Sequence, residues 1–232
     1  MRYGVLILSM ALASCGSSDR SVTEAPVVRP SEVADFRVLY GQNCSGCHGT
    51  DGKGALAVAI GSPVYLAIAD AAAIRPVIEK GRPATAMPAF AQNAGGMLTE
   101  AQIDIIVRGI RESWAKPDSL GSDKPPPYAA SQPGDAARGL NVFTTYCSSC
   151  HGSDGRGGRA GSIVDTSYLS LVSDQHLRTV TIVGIPQLGA PDWRGNVPGK
   201  PMSDAEVTDV VAWLSAQRQP LSVSLKHPGG LE

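Results

Sequence analysis

Apolar residues recur at three- and four-residue spacing along most of the chain, which is the pattern of amphipathic helices. The spacing predicts helices over 33–42 and 136–145. The two clearest runs follow capping-box signals, Thr99 with Gln102 and Ser203 with Glu206. They consist of Ile103, Ile106, Val107 and Ile110, and of Val207, Val210, Val211 and Leu214. No strand-length run alternates with a period of two, so the pattern predicts an all-α fold.

A middle helix is predicted in each half of the chain. Asp70 and Ser173 are its N-caps, and Gly81 and Gly184 are its stops. Pro76 lies inside the first of these helices and predicts a kink or a late start.

The two halves of the chain repeat one another. With Cys44 placed on Cys147, glycine, aromatic and apolar positions match, and the last helices match after one inserted residue. We therefore predict two domains of one kind, 31–115 and 134–219. The segment between them, 116–133, is rich in proline and is predicted to be an extended, semi-stiff linker.

The N-terminus has the pattern of an export signal. A short positive start and an apolar stretch too short to span a bilayer make residues 1–14 a predicted signal peptide. Leu-Ala-Ser-Cys at its end resembles the lipobox of bacterial lipoproteins, which implies cleavage before Cys15 and its lipidation. The alternative is an ordinary secretory signal. Residues 15–30 are predicted to form a tether, and residues 220–232 a loosely ordered tail.

Composition narrows the possible functions. Lys and Arg number 20 and Asp and Glu 21, a balance that argues against nucleic-acid binding. Apolar residues make up 43 %, enough for a globular core, but aromatic residues only 5 %. The core therefore needs large apolar material from some other source.

Four of the five cysteines stand in two Cys-x-x-Cys-His frames. Two thiols on a tight turn can bond the two vinyl carbons of one haem, and the adjacent histidine can then bind the iron, so the frames indicate c-type haem attachment. A covalent macrocycle also supplies the missing apolar body. Zinc binding, a thioredoxin-like redox pair and structural disulfides are the alternatives. The frames consist of Cys44, Cys47 and His48, and of Cys147, Cys150 and His151.

Each copy resembles a class I cytochrome c domain. Both have a helix leading into Cys-x-x-Cys-His, then His-Gly-x-Asp-Gly-x-Gly, and a closing helix, whereas Met-Pro occurs only in the first copy. The resemblance implies two covalently attached haem c groups. It also implies a carbonyl partner for each histidine, from Pro63 or Thr166. First and last helices should touch, with Phe36 and Tyr40 against Gly109, and Gly139 and Phe143 against Trp213.

The sixth iron ligand is predicted separately for each copy. Met87, followed by proline after a helix stopped by glycine, resembles the family's axial methionine, with Met97 as a weaker rival. Ala190 occupies the corresponding position of the second copy and cannot bind iron. The candidates there are Met202, an open or water-ligated iron, and His176 or His227. Met202 could also be a packing residue before the Ser203 cap, and His176 is expected to be exposed on its helix.

These features predict a dihaem electron carrier on the periplasmic side of a bacterial membrane, held by a lipid on Cys15. Its expected donor is a dehydrogenase or a respiratory complex, and its expected acceptor is an oxidase or a soluble cytochrome. No catalytic residues are predicted. The alternative is a peroxidase-like or gas-responsive module that uses an open second iron.

Overall fold

A computed structural model describes residues 28–54, 57–83 and 85–219. The described part is helical and has no strand beyond two isolated bridges, so the all-α prediction is confirmed. The predicted signal peptide, Cys15, His227 and the tail lie outside it. The helices are α1 (Phe36–Asn43), α2 (Ser45–His48), α3 (Pro63–Ile68), α4 (Ala71–Lys80), α5 (Glu100–Trp114), α6 (Ala136–Tyr146), α7 (Ser148–His151), α8 (Thr166–Leu171), α9 (Asp174–Val183) and α10 (Asp204–Ala216).

Helix starts follow the caps that the sequence contains. Asp70 and Ser173 each accept a backbone N–H, and both predicted capping boxes are formed. Helix α1 begins at Phe36 rather than at Val33, because the Asp35 carboxylate accepts the Val38 N–H and sets the N-cap. Helix α4 begins at Ala71 and runs through Pro76, so of the two alternatives predicted for it, a kink or a late start, the late start is not found.

The first and last helices of each copy cross at a glycine. A Cβ on Gly109 of α5 would lie 2.2 Å from the Phe36 ring of α1. In the second copy, a Cβ on Gly139 of α6 would lie 2.1 Å from the Asp209 carbonyl oxygen of α10. Phe143 and Trp213 stack beside it at 4.3 Å between ring centroids. The predicted contacts of Phe36 with Gly109, and of Gly139 and Phe143 with Trp213, are therefore present, with the large side chain on opposite helices in the two copies. The Tyr40 ring packs against Trp114 of α5, with 5.0 Å between the ring centroids.

The linker packs against both copies instead of standing free. Pro117–Leu120 is a 3₁₀ turn that contacts α3, and the Leu120 side chain is buried. Helix α3 of the first copy also packs against α9 of the second. Gln187, after α9, donates to the Lys53 carbonyl oxygen of the first copy.

No helix among the described residues is both long enough and apolar enough to cross a bilayer.

Candidate haem-attachment sites

Each Cys-x-x-Cys-His frame forms a short helical turn directly after the first helix of its copy. In the first copy, the N–H groups of Cys47 and His48 donate to the Cys44 carbonyl oxygen at 3.2 and 3.0 Å. Gly49, at φ +78°, then ends the turn. The second frame repeats this conformation, with the corresponding bonds at 3.1 and 3.0 Å and Gly152 at φ +79°. None of the four cysteines of the frames forms a disulfide.

Each frame histidine is fixed through one ring nitrogen. His48 Nδ1 donates to the Val58 carbonyl oxygen at 2.9 Å, and His151 Nδ1 donates to that of Gly161 at 2.9 Å. A hydrogen bond at Nδ1 fixes the tautomer and leaves the Nε2 lone pair for a metal. The carbonyl partner predicted for each histidine is present, but Pro63 and Thr166 were the wrong residues.

The glycine-rich loops fold back onto the frames. Gly54 donates to the His48 carbonyl oxygen at 2.8 Å, and Gly157 donates to that of His151 at 3.1 Å. The Tyr40 hydroxyl donates to the Gly49 carbonyl oxygen at 2.7 Å. Backbone hydrogen bonds thus hold the loop on each histidine turn, and in the first copy the Tyr40 hydroxyl also ties the turn to α1.

Burial tunes the ionisable groups of the frames. Desolvation, together with the neighbouring thiol, raises the pKa of Cys44 and of Cys147 to about 12. The Arg159 guanidinium, 3.0 Å from Cys150 Sγ, lowers the pKa of that thiol. Burial also lowers the pKa of His48, which favours the neutral imidazole that binds metals.

Met87 lies in a closed turn after α4, and its side chain is half-buried. The Arg82 N–H donates to the Met87 carbonyl oxygen at 2.9 Å, and the Met87 N–H donates to Thr85 Oγ1 at 3.2 Å. The turn folds onto Gly81, because a Cβ there would lie 2.6 Å from the Met87 carbonyl oxygen. Its predicted rival, Met97, is 77 % exposed.

The second copy has a different arrangement at its two candidate positions. Ala190 forms a bridge with Ile185. Met202 is buried, and its N–H donates to the Trp193 carbonyl oxygen at 2.9 Å. Leu98 makes the equivalent bond to Phe90 in the first copy, at 2.8 Å. Asn196 Nδ2 lies 3.8 Å from the Met202 sulfur. Met202 thus holds the place that an apolar packing residue holds in the first copy.

His176 is half-buried, so its predicted exposure is wrong. It lies on α9, the helix that packs against α3 of the first copy. Burial and the nearby His48 both lower the pKa of its imidazole.

The zinc alternative finds no support in the described residues. They contain no group of three or more His, Cys, Asp and Glu side chains placed to hold a metal ion. The two cysteine pairs belong to separate copies, each beside its own histidine.

Comparison with known proteins gives a family match over both copies. The family described as cytochrome c oxidase, cbb3-type, subunit III matches residues 31–108 and 134–214. The cytochrome bc1 complex cytochrome c subunit of Mycobacterium bovis is 25 % identical over 237 residues, covering 98 % of this chain and 78 % of that protein. The cbb3-type cytochrome c oxidase subunit CcoP of Azospirillum sp. is 28 % identical over 142 residues, covering 56 % of this chain and 43 % of that protein. Among solved structures, the reducing HAO-like protein complex of Kuenenia stuttgartiensis gives a TM-score of 0.47 at 17 % identity, covering 83 % of this chain and 100 % of that one.

Proposed function

The chain belongs to the family described as cytochrome c oxidase, cbb3-type, subunit III, and on this premise we propose that it carries electrons through two covalently attached haem c groups, one in each copy. The observation that carries this proposal is the duplicated histidine geometry. In both copies a Cys-x-x-Cys pair that forms no disulfide adjoins an imidazole whose Nδ1 donates to a backbone carbonyl. A thioether-linked macrocycle and an iron at Nε2 need these groups in this arrangement.

In the first copy, Cys44 and Cys47 would attach the haem, and His48 and Met87 would supply its two iron ligands. In the second copy, Cys147, Cys150 and His151 have the equivalent roles. Haem c supplies one-electron chemistry at its iron when bound. The protein orients the two imidazoles through the Val58 and Gly161 carbonyls. No side chain has to move a proton for this function.

The sixth position of the second iron distinguishes two functions. Met202 is the candidate ligand, and an open or water-ligated iron is the alternative. The packing of Met202 in the place of Leu98, with its sulfur beside Asn196, favours the open position. An open iron makes the second candidate function, a peroxidase-like or gas-responsive module, specific to the second copy.

The partners that we propose are redox proteins of the respiratory chain. Relatives of this chain are a subunit of a cytochrome bc1 complex and a subunit of a cbb3-type oxidase. The donor is then a dehydrogenase or a respiratory complex, and the acceptor is an oxidase or a soluble cytochrome. Docking surfaces for such electron transfer are small and transient.

Carbon monoxide binding to the reduced holoprotein tests the haem count and the second iron together. We expect two haem c groups for each chain and a change in the Soret band of about half of the haem, because CO binds ferrous iron only at an open or weakly held position. The Met202→Leu variant keeps the apolar volume and should respond in the same way. If the wild-type protein does not bind CO but the Met202→Leu variant does, Met202 is instead the sixth ligand of the second iron. One haem for each chain would contradict the dihaem proposal.

We also propose that the chain is exported and anchored by a lipid on Cys15. More than one acyl chain on a single residue gives firm membrane attachment. Cys15→Ser should therefore move the protein from the washed membrane fraction to the soluble periplasmic fraction, and Ser14→Ala serves as the matched control that keeps the cysteine. Retention of Cys15→Ser on washed membranes would contradict the lipid anchor.

A further inference from the structure

Tyr128, in the linker, makes contacts with both copies. Its hydroxyl accepts a hydrogen bond of 2.8 Å from Arg82 of the first copy. Its ring meets the Tyr65 ring edge-on, with the centroids 6.4 Å apart. Its backbone carbonyl accepts hydrogen bonds from Gln175 and Arg178, both on α9 of the second copy, at 2.8 and 3.1 Å.

The first of these contacts leads directly into the turn that holds Met87. The Arg82 backbone joins the two ends of this turn, because its N–H donates to the Met87 carbonyl oxygen at 2.9 Å. Its own carbonyl oxygen accepts from the Thr85 N–H at 3.1 Å and from Thr85 Oγ1 at 2.8 Å. Pro83 and Ala86, in the same turn, are exposed to solvent. The hydrogen bond from the Arg82 side chain to Tyr128 therefore connects this turn to the rest of the protein.

The second copy binds the linker through a buried arginine. The Arg178 side chain is only 3 % exposed, and it donates to the carbonyl oxygens of Pro127 and Tyr128 as well as to Thr208 and Asp204. Arg75 is its counterpart in the first copy, and its side chain is 30 % exposed. Within the described part of the chain, Arg75 bonds to acidic side chains of its own copy, namely Glu79, Glu100 and Asp104. The repeated arginine is thus buried where the linker covers it.

We infer that Tyr128 is a positioning residue for Met87: seated on α9 of the second copy, it holds Arg82 and thereby keeps the Met87 turn closed. This inference rests on the proposed binding of Met87 to iron. Without the Tyr128 hydroxyl, the Arg82 side chain loses its anchor on the linker, and the state with Met87 detached becomes more populated. The presence of the second copy in this way stabilises the ligation of the first iron.

The test is a cyanide titration of the oxidised, full-length holoprotein. The signal is the far-red charge-transfer band of methionine-ligated ferric haem, and the part of it that disappears in Met87→Ala belongs to the first copy. Cyanide binds where methionine has left, so its apparent affinity scales with the detached population. In Tyr128→Phe, which keeps the ring against Tyr65, we expect this affinity to rise roughly tenfold, because a hydrogen bond from a charged donor is lost.

A double-variant cycle separates positioning from general loosening. Arg82→Gln should raise the affinity for cyanide as Tyr128→Phe does, and the combined variant should add little, because both remove the same bond. Tyr168→Phe, a hydroxyl deletion in the second copy, should leave the signal of the first copy unchanged. If Met87→Ala keeps the whole band, the ligand assignment in the proposed function fails. If Met87→Ala loses its part but Tyr128→Phe binds cyanide as the wild type does, or if the two changes are additive, the positioning role is wrong.

Discussion

Gly139→Ala is expected to destabilise the second copy by about 2 kcal/mol and to leave the first copy folded. The added Cβ would lie 2.1 Å from the Asp209 carbonyl oxygen and 2.7 Å from the Trp213 Cβ. Both are fixed parts of α10, so α6 and α10 must move apart. The movement disturbs the stack of Phe143 on Trp213 and the ion pair from Arg138 to Asp209. The intrinsic helix preference of alanine offsets only about 1 kcal/mol of the cost.

Hydrogen exchange resolved by peptide, measured on the holoprotein in increasing urea, reports each copy separately. Gly41→Ala is the matched control, because this glycine also lies in a first helix but a Cβ there meets nothing within 4 Å. It should be neutral or stabilise the first copy by about 0.5–1 kcal/mol. Equal effects from the two substitutions would contradict close helix packing at Gly139.

This helix crossing was predictable from the sequence because the repeat aligned a large residue with a small one on opposite sides of the same contact. The position of Trp114 was not predicted in this way. Its ring packs 5.0 Å from that of Tyr40 and fills the space beside Gly52. Its aligned partner, Arg218, instead donates to the carbonyls of Leu169 and Val172 at the end of α8. In the first copy Arg111, one helical turn earlier in the alignment, donates to the corresponding carbonyls of Leu66 and Ala69. The same hydrogen bonds are thus made by arginines that the alignment does not pair.

The frames of the candidate sites were also predictable, because thiol and imidazole chemistry demands particular side chains at a fixed spacing. The carbonyl partners of the histidines were not. Any residue carries a carbonyl, so Val58 and Gly161 leave no mark in the sequence, and only the fold of the loop selects them.

Contacts between the copies were the least predictable part of the molecule. Helical periodicity reports which face of α9 meets its own core, and it gave His176 an exposed position. The other copy covers that face instead. Proline content likewise predicted a semi-stiff linker but not the surface against which it packs. That surface depends on Arg178, which donates hydrogen bonds to the carbonyls of Pro127 and Tyr128.

Met87→Ala is expected to have the largest effect on the proposed function. Loss of the thioether should make the first haem high-spin when oxidised and lower its reduction potential, because a methionine ligand stabilises ferrous iron. The CO-reactive share of the haem should rise from about half to nearly all, since both irons then have an accessible sixth position. Spectra with and without CO, together with a redox titration of the holoprotein, measure these changes.

The matched controls separate ligation from packing. Met87→Leu keeps the apolar volume at a cost below about 1.5 kcal/mol, yet it has no sulfur, so it should reproduce the spectrum of Met87→Ala. Met97→Leu changes a methionine that is 77 % exposed, and it should leave both potentials unchanged. A Met87→Leu variant with the wild-type spectrum would show that Met87 only fills space. The first copy would then need another iron ligand. The replacement of Met87 by Ala190 in the second copy would then no longer explain why one iron is six-coordinate and the other has an open position.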